Sequence, residues 1–291
     1  MTEEVHPPLE EYLETIYCIW EEGTPVIQAR IAQRLGRSAP SVSEMLERLA
    51  EASYITRKGR IVNFTSEGLA RAEGVVRKHR LAERLLVDVI GLEWHKAHAE
   101  AGRWEHAISD EVEGKLVELL GNPGTCPHGN PIPVARQAVR DAGSRGSERN
   151  RRSSGTADAT TAATAVPANR RDTLQSFSGH MPLSDIEPAA GRSYVIRRVT
   201  EEIEADSENL AFLSNHGLIP GTAVAVLARS GDGHVTLERG SEAVIVSPWM
   251  ARRVYLSTPL GETPTPSPAV HRRASTGTSS RRLRPPKTAT T

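Results

Sequence analysis

The chain has 291 residues, 25% of them charged and 38% apolar, and its 36 Lys and Arg balance its 36 Asp and Glu. That length holds two or three small domains. A net charge of zero announces no nucleic-acid partner, no apolar run approaches the ~20 residues of a membrane span, and Cys18 and Cys126 are too few for a disulfide framework.

The acidic opening MTEEVHPPLEEYLE has no apolar signal segment, so a cytoplasmic location with no membrane contact is expected. Leu9, Leu13, Ile16, Tyr17 and Trp20 make one stripe, which predicts a helix from Pro8 to Glu22, ended by Gly23 and Pro25. Residues 27–35 form a second short amphipathic helix, stopped near Gly36. Ser38 is the cap of a third, with Pro40 in its first turn and its end at Glu51. Tyr54–Arg57 and Ile61–Thr65 alternate apolar and polar residues around Lys58 and Gly59, which is a hairpin signal. Helix, turn, helix and hairpin is the order of a winged helix-turn-helix, with the third helix in the major groove. Residues 27–60 carry seven basic residues against three acids, a local excess of the kind phosphate contact needs.

A long helix is predicted from Ser66 to Ile90 and another from Trp94 to Ile108. A third opens at Ser109, with Asp110 and Glu111 on the positive end of its dipole. Their apolar surface exceeds what one small domain buries, so they predict a helical dimer interface. Residues 122–134 are proline-rich and extended. Composition then shifts to Ser, Thr, Ala, Gly and Arg, as in a disordered linker. From residue 181, apolar alternation across turns at Gly231, Gly233 and Gly240 predicts a small β-barrel with one short helix near Glu208–Ser214. After Glu262 come six Arg or Lys and no acid, a disordered basic tail.

The chemistry-bearing residues lie on the predicted helices. His79 and Glu83 are four apart and share a face; His98, Gly102, Glu105 and His106 follow i, i+4, i+7 and i+8. Imidazole and carboxylate together suit a first-row divalent metal. Alone, a His–Glu pair at this spacing is usually a surface ion pair; two sets on adjacent helices argue for a metal. Glu14 is either a solvated acid or a ligand. His95 and His128 are expected not to be ligands, because Cys126 and His128 have no second pair nearby in sequence, and Pro127 and Gly129 suit a turn. There is no HExxH and no nucleophile motif, so no enzyme is expected.

The stretches LEEYLETIY, ARIAQRLGRSAPSVSEMLERL, VRKHRLAERLL, RWEHAISDEVE and CPHGNPIP resemble the diphtheria toxin repressor family of iron- or manganese-dependent bacterial regulators. The resemblance implies a mainly α fold with a small β part. Its expected domains are a winged helix-turn-helix DNA-binding domain (1–65), a helical metal-binding and dimerisation domain (66–140), a linker (141–180), an SH3-like, FeoA-like β-barrel (181–257) and a tail (258–291). It implies a homodimer on a palindromic double-stranded DNA operator, acting as a repressor of metal-uptake genes.

The resemblance also implies a primary metal site of Glu11, Glu14, Gly102, Glu105 and His106. Glu11 stands where the iron branch has Met and Gly102 where it has Cys, leaving only a backbone carbonyl there. The manganese branch has an acid at Glu11, a Glu at Glu14 and a Glu at Gly102's position. The cofactor is therefore Mn²⁺ or Fe²⁺, with Mn²⁺ favoured by the oxygen-rich set. An ancillary site takes His79, Glu83 and His98, with Glu202 as the FeoA-like domain's Glu; its Gln position falls near Ala205, where water or Glu204 would serve. If Gly102 has disabled the primary site, the alternative is a winged-helix regulator that binds DNA without metal. Candidate DNA contacts are Arg30, Arg37, Ser38, Pro40, Ser41, Ser43 and Glu44, with Arg57, Lys58 and Arg60 on the wing. Glu44 either accepts from cytosine or faces away.

Overall fold

The computed structural model describes residues 9–134 and 179–257. The expected linker and basic tail lie almost wholly outside them. The first unit is α1 (Leu9–Glu21), α2 (Gln28–Leu35), α3 (Ala39–Glu51) and a hairpin of β1 (Ile55–Lys58) and β2 (Ile61–Phe64). Gly36 ends α2 at φ 62°, a left-handed geometry glycine adopts without strain, and Ser38 caps α3 through the Ser41 amide. The hairpin pairs Lys58 with Ile61 and Ile55 with Phe64. Tyr12, Leu13, Ile16, Ile31, Leu46 and Leu49 interlock with Val62 and with Leu69 and Val76 of the next helix, so this winged-helix unit, the reading head, is packed onto the helix that follows.

That next helix, α4 (Ser66–Arg84), is capped by the Thr65 hydroxyl. The sequence predicts one regular helix to Ile90. Instead the chain widens into a π-helical turn over Leu85–Ile90; Gly91, at φ 80°, reverses it, and Leu92 donates back to the Leu86 carbonyl. Helix α5 (Ala97–Trp104) also stops short of the predicted Ile108: Ala107 donates back to Trp104, tightening the end into a turn. Ser109 then caps α6 (Asp110–Leu119) through Val112. Two small apolar clusters hold these helices together, around Ala82, Leu86, Ala97 and Ala101, and around Leu81, Leu116 and Ile132.

The C-terminal unit is a six-stranded antiparallel sheet in the order β3-β8-β4-β5-β6-β7. Its strands are β3 (His180–Pro182), β4 (Tyr194–Val199), β5 (Ala223–Arg229), β6 (Val235–Arg239), β7 (Glu242–Val246) and β8 (Val254–Ser257). Helices α7 (Glu201–Glu204), α8 (Ser207–Asn215) and α9 (Pro248–Ala251) complete it. The sequence expects only α8; α7 is a single turn, too short for a periodic signal. Inward residues such as Ile196, Val226, Leu237, Val246 and Leu256 alternate with outward ones and form one core with Leu210 and Leu213. No helix among the described residues is long and apolar enough to cross a membrane.

Candidate metal centre and nucleic-acid interface

Turn 126–130 sets the position of the C-terminal unit. Gly129 has φ 90° and sits so close to β4 that an added Cβ would fall 2.0 Å from the Arg197 carbonyl oxygen. Only glycine permits that approach. The Val199 amide donates to the His128 carbonyl at 3.0 Å, and Asn130 donates to the Val199 carbonyl at 2.9 Å and to the Glu204 carboxylate. These bonds bring α7 against α4 and α5.

The result is a buried chain of ligand-type atoms. Glu83, Cys126, His128 and Glu204 place one such atom each within 4.8 Å of the others. The same holds for His79, Glu83 and His98, for Glu14, His79 and Glu201, and for His98, Glu201 and Glu204. Glu83 Oε1 receives three rings: His79 Nε2 and His128 Nδ1 at 3.2 Å and His98 Nδ1 at 3.3 Å. His128 Nε2 lies 3.2 Å from the Trp94 carbonyl, to which it donates, so Nδ1 faces Glu83 and Glu204, each at 3.2 Å.

Burial and charge oppose each other here. Burial alone would lower the pKa of His98, but the hydrogen bonds its ring donates to Glu204 and Glu83 push it to about 9. His79 and His128 are raised too, burial being outweighed by Glu14 and Glu83 for the first and by Glu204 and Glu83 for the second. Glu83 is held well below the carboxylate range, because His128 and His79 overcome its burial. Burial lifts Glu14 to about 8 and the Cys126 thiol to about 12. The metal-free cluster is thus held together by protons. Glu14 Oε1, Glu83 Oε2, His128 Nδ1 and Glu204 Oε2 are buried without a hydrogen-bond partner of acceptable geometry. His128 Nδ1 has ion-pair distances but poor angles, so the pairing is electrostatic. Such a set of orphaned nitrogen and oxygen atoms, with the Cys126 sulfur beside them, fits a divalent cation.

The expected primary residues are arranged differently. Glu11, Glu14, Gly102, Glu105 and His106 line one cavity of about 490 Å³, together with His79, His98 and Glu201. Glu105 Oε2 is bonded to His79 Nδ1 at 2.6 Å, and His106 Nδ1 to Glu10 at 2.8 Å. Glu11, Glu105 and His106 are not among the sets that close within 4.8 Å in the described residues. Burial raises the Glu11 pKa, Arg37 opposing it and Glu105 adding to it. Gly102 leaves open space, with nothing within 4 Å of an added Cβ.

Two expectations need correction. Glu202 does not enter the cluster: both of its oxygens accept from Arg253, at 2.8 and 2.9 Å, and Arg34 of α2 lies 3.6 Å away. The acids facing the cluster are Glu201 and Glu204, three apart on α7 and hence on one face. Glu204, one of the two replacements expected for a Gln near Ala205, faces the cluster. Cys126 and His128 do have partners, Glu83 and Glu204, which are distant in sequence. The CPHGN spacing was the available signal; the absent local second pair hid it.

Of the residues expected to meet DNA, Arg37, Ser38, Pro40, Glu44, Arg57, Lys58 and Arg60 are exposed, whereas Arg30, Ser41 and Ser43 are half-buried. Arg30 donates to the Pro25 carbonyl at 2.7 Å and Arg57 to Gln28 at 3.4 Å. Glu44 is exposed on α3, not turned into the core.

Residues 5–60 match the family model for the iron dependent repressor N-terminal DNA binding domain. Residues 65–134 match its metal binding and dimerisation domain, and 181–258 match the FeoA domain. The iron-dependent repressor IdeR of Mycobacterium tuberculosis is 37% identical over 248 residues, covering 84% of this chain and 94% of that protein. The diphtheria toxin repressor of Corynebacterium diphtheriae is 35% identical over 236 residues, covering 81% and 90%. A manganese-dependent transcriptional repressor in complex with manganese superposes with a TM-score of 0.64 at 25% identity, over 86% of this chain and 99% of that one. With three family domains in order and relatives alike over nearly their whole length, the chain belongs to the iron-dependent (diphtheria toxin) repressor family.

Proposed function

We propose that the protein is a divalent-metal-dependent, DNA-binding transcriptional repressor of metal-uptake genes, acting as a homodimer on a palindromic operator. One observation carries this reading: Glu14 of the reading-head helix α1 and Glu201 of the C-terminal unit converge on His79 of α4. When bound, a divalent ion supplies the positive charge that lets these acids close on the imidazoles. Glu11 and Glu14 then tie the reading head to Glu105 and His106, while Glu201 and Glu204 tie in the C-terminal unit. Without the ion, protons on Glu14 and on His79, His98 and His128 balance the cluster, and they must leave before these groups act as ligands.

The cavity of Glu11, Glu14, Glu105 and His106, with the Gly102 carbonyl, offers oxygen and nitrogen, which favours Mn²⁺. The cluster of Glu83, Cys126, His128 and Glu204 adds sulfur, which suits Fe²⁺ better. The DNA contacts proposed are Arg37, Ser38, Pro40, Ser41, Ser43 and Glu44 at α3, Arg30 beside them, and Arg57, Lys58 and Arg60 on the wing. Val89, Ile90, Val112 and Leu119 are 48–62% exposed on the helical unit and support pairing with a second copy there. The proposed domain limits remain 1–65, 66–140 and 181–257. No observation favours the metal-independent alternative, and no catalytic role is proposed.

The test is fluorescence anisotropy on DNA from the gene's own upstream region, with Mn²⁺ and anaerobic Fe²⁺ titrated after chelation. Saturable, metal-gated binding that Glu105→Ala and His106→Ala both abolish is expected. Tight binding indifferent to chelator, or native metal dependence in either variant, would overturn the proposal.

A further inference from the structure

Glu10, next to Glu11 on α1, is absorbed neither by the metal cluster nor by the DNA face. Its two oxygens are divided: Oε2 lies 2.8 Å from His106 Nδ1, and Oε1 accepts from Arg71 of α4. His106 presents its other nitrogen, Nε2, 3.2 Å from Glu105 Oε1. Two cavities meet here. The larger, about 490 Å³, holds Glu11 and Glu14; the smaller, about 240 Å³, holds Glu10 and Arg71. Only Glu105 and His106 line both, so the imidazole forms part of the wall between them.

We propose that Glu10 is a positioning residue for the His106 ligand: it holds the Nδ1 proton and thereby turns the Nε2 lone pair toward Glu105 and the metal. This rests on the reading of His106 as a ligand. A neutral imidazole has one N–H and one lone pair, and the partner of one nitrogen decides the role of the other. A carboxylate at Nδ1 keeps the proton there. Nε2 and Glu105 Oε1 are then two acceptors facing each other, an arrangement a shared cation satisfies. Arg71 offsets the charge of Glu10, so Glu10 acts on the ring and does not compete as a ligand. Consecutive helix residues point about 100° apart, which is why α1 supplies both a ligand acid, Glu11, and an outer acid, Glu10. Metal-binding histidines commonly have such an outer carboxylate, and its loss weakens metal about 10–100-fold.

The test uses the full chain. Imidazole ¹⁵N spectra of the metal-free protein are expected to show His106 protonated at Nδ1 in the wild type and in a tautomer mixture in Glu10→Ala. Mn²⁺ isotherms are expected to weaken about 10-fold or more at one site in Glu10→Ala, and less in Glu10→Gln, which keeps an acceptor. On a His106→Ala background, Glu10→Ala should change nothing further. A wild-type isotherm in Glu10→Ala, or an equal loss on the His106→Ala background, would overturn the inference while leaving the metal site standing. If His106→Ala alone binds Mn²⁺ as the wild type does, the ligand reading fails, and this inference with it.

Discussion

Arg80 of α4 grips Glu21 of α1 in a two-pronged ion pair, Nη1 to Oε1 at 2.9 Å and Nη2 to Oε2 at 2.7 Å, with both side chains almost wholly buried. Arg80 also reaches Glu201 at 3.3 Å and the Pro131 carbonyl. One guanidinium therefore joins the reading head, the metal helices and the C-terminal unit without any metal.

Removing one partner leaves a buried charge uncompensated. Arg80→Met should lower unfolding stability by about 3–5 kcal/mol, and the double variant Arg80→Met with Glu21→Leu should recover much of it. Urea denaturation of the metal-free protein checks this. Equal losses in the single and double variants would show that the pair is not the source.

Metal uptake should release protons at neutral pH. His98, raised from 6.5 to about 9, stabilises the metal-free fold fully below about pH 6.5, and that contribution is lost as pH rises through about 9. Glu14, lifted to about 8, also holds a proton at pH 7. Both must deprotonate to act as ligands, so affinity should rise from pH 6 to 9. Calorimetry in two buffers of different ionisation enthalpy counts the protons released; a count of zero at pH 7 refutes the scheme.

Gly102 offers a gain-of-function test. Its missing side chain opens onto the cavity, and nothing lies within 4 Å of an added Cβ. Gly102→Glu should tighten Mn²⁺ binding and stabilise α5 by up to about 1 kcal/mol through helix propensity. Gly102→Cys should shift preference toward softer ions. Isotherms unchanged in both variants would place the bound metal away from this residue.

Charge on the wing should act without regard to sequence. Lys58→Ala and Arg60→Ala should each weaken DNA binding across all sequences and reduce the salt slope by about 1. Glu44→Gln should instead alter base preference while leaving the slope alone. Anisotropy on an operator and a scrambled duplex, at several salt concentrations, separates the two effects.

The joint between Arg34 and Glu202 is weaker, because both remain partly exposed, at 16% and 27%. Exposed pairs contribute roughly 0–1 kcal/mol. Glu202→Arg should speed hydrogen exchange in α2 and at the Glu22–Arg34 contact, and adding Arg34→Glu should slow it again. No recovery in the double variant would mean that the two units are held by other contacts.

Local pattern made much of this protein legible. Apolar spacing gave α1 to α3, Ser38 and Ser109 gave caps, and alternation gave the strands around Gly231 and Gly240. His79 with Glu83 could be paired because four residues make one helical turn. Both helix ends past Arg84 and Trp104 were missed: side-chain spacing does not reveal where backbone bonding widens to a π turn or tightens.

The chain's order of residues by itself determined the family, the winged-helix order and, among the residues that close into ligand-type sets, Glu14, His79, Glu83 and His98, since these are encoded in spacings shorter than a helix. Only the tertiary structure decided which acids meet the histidines. Glu201 and Glu204 reach the cluster, while Glu202 turns to Arg253, because a single helical turn carries no readable period and its facing is fixed by packing. Cys126 and His128 join Glu83 and Glu204 for the same reason. Their partners lie on other elements, and the close approach of Gly129 to β4 is what brings them together.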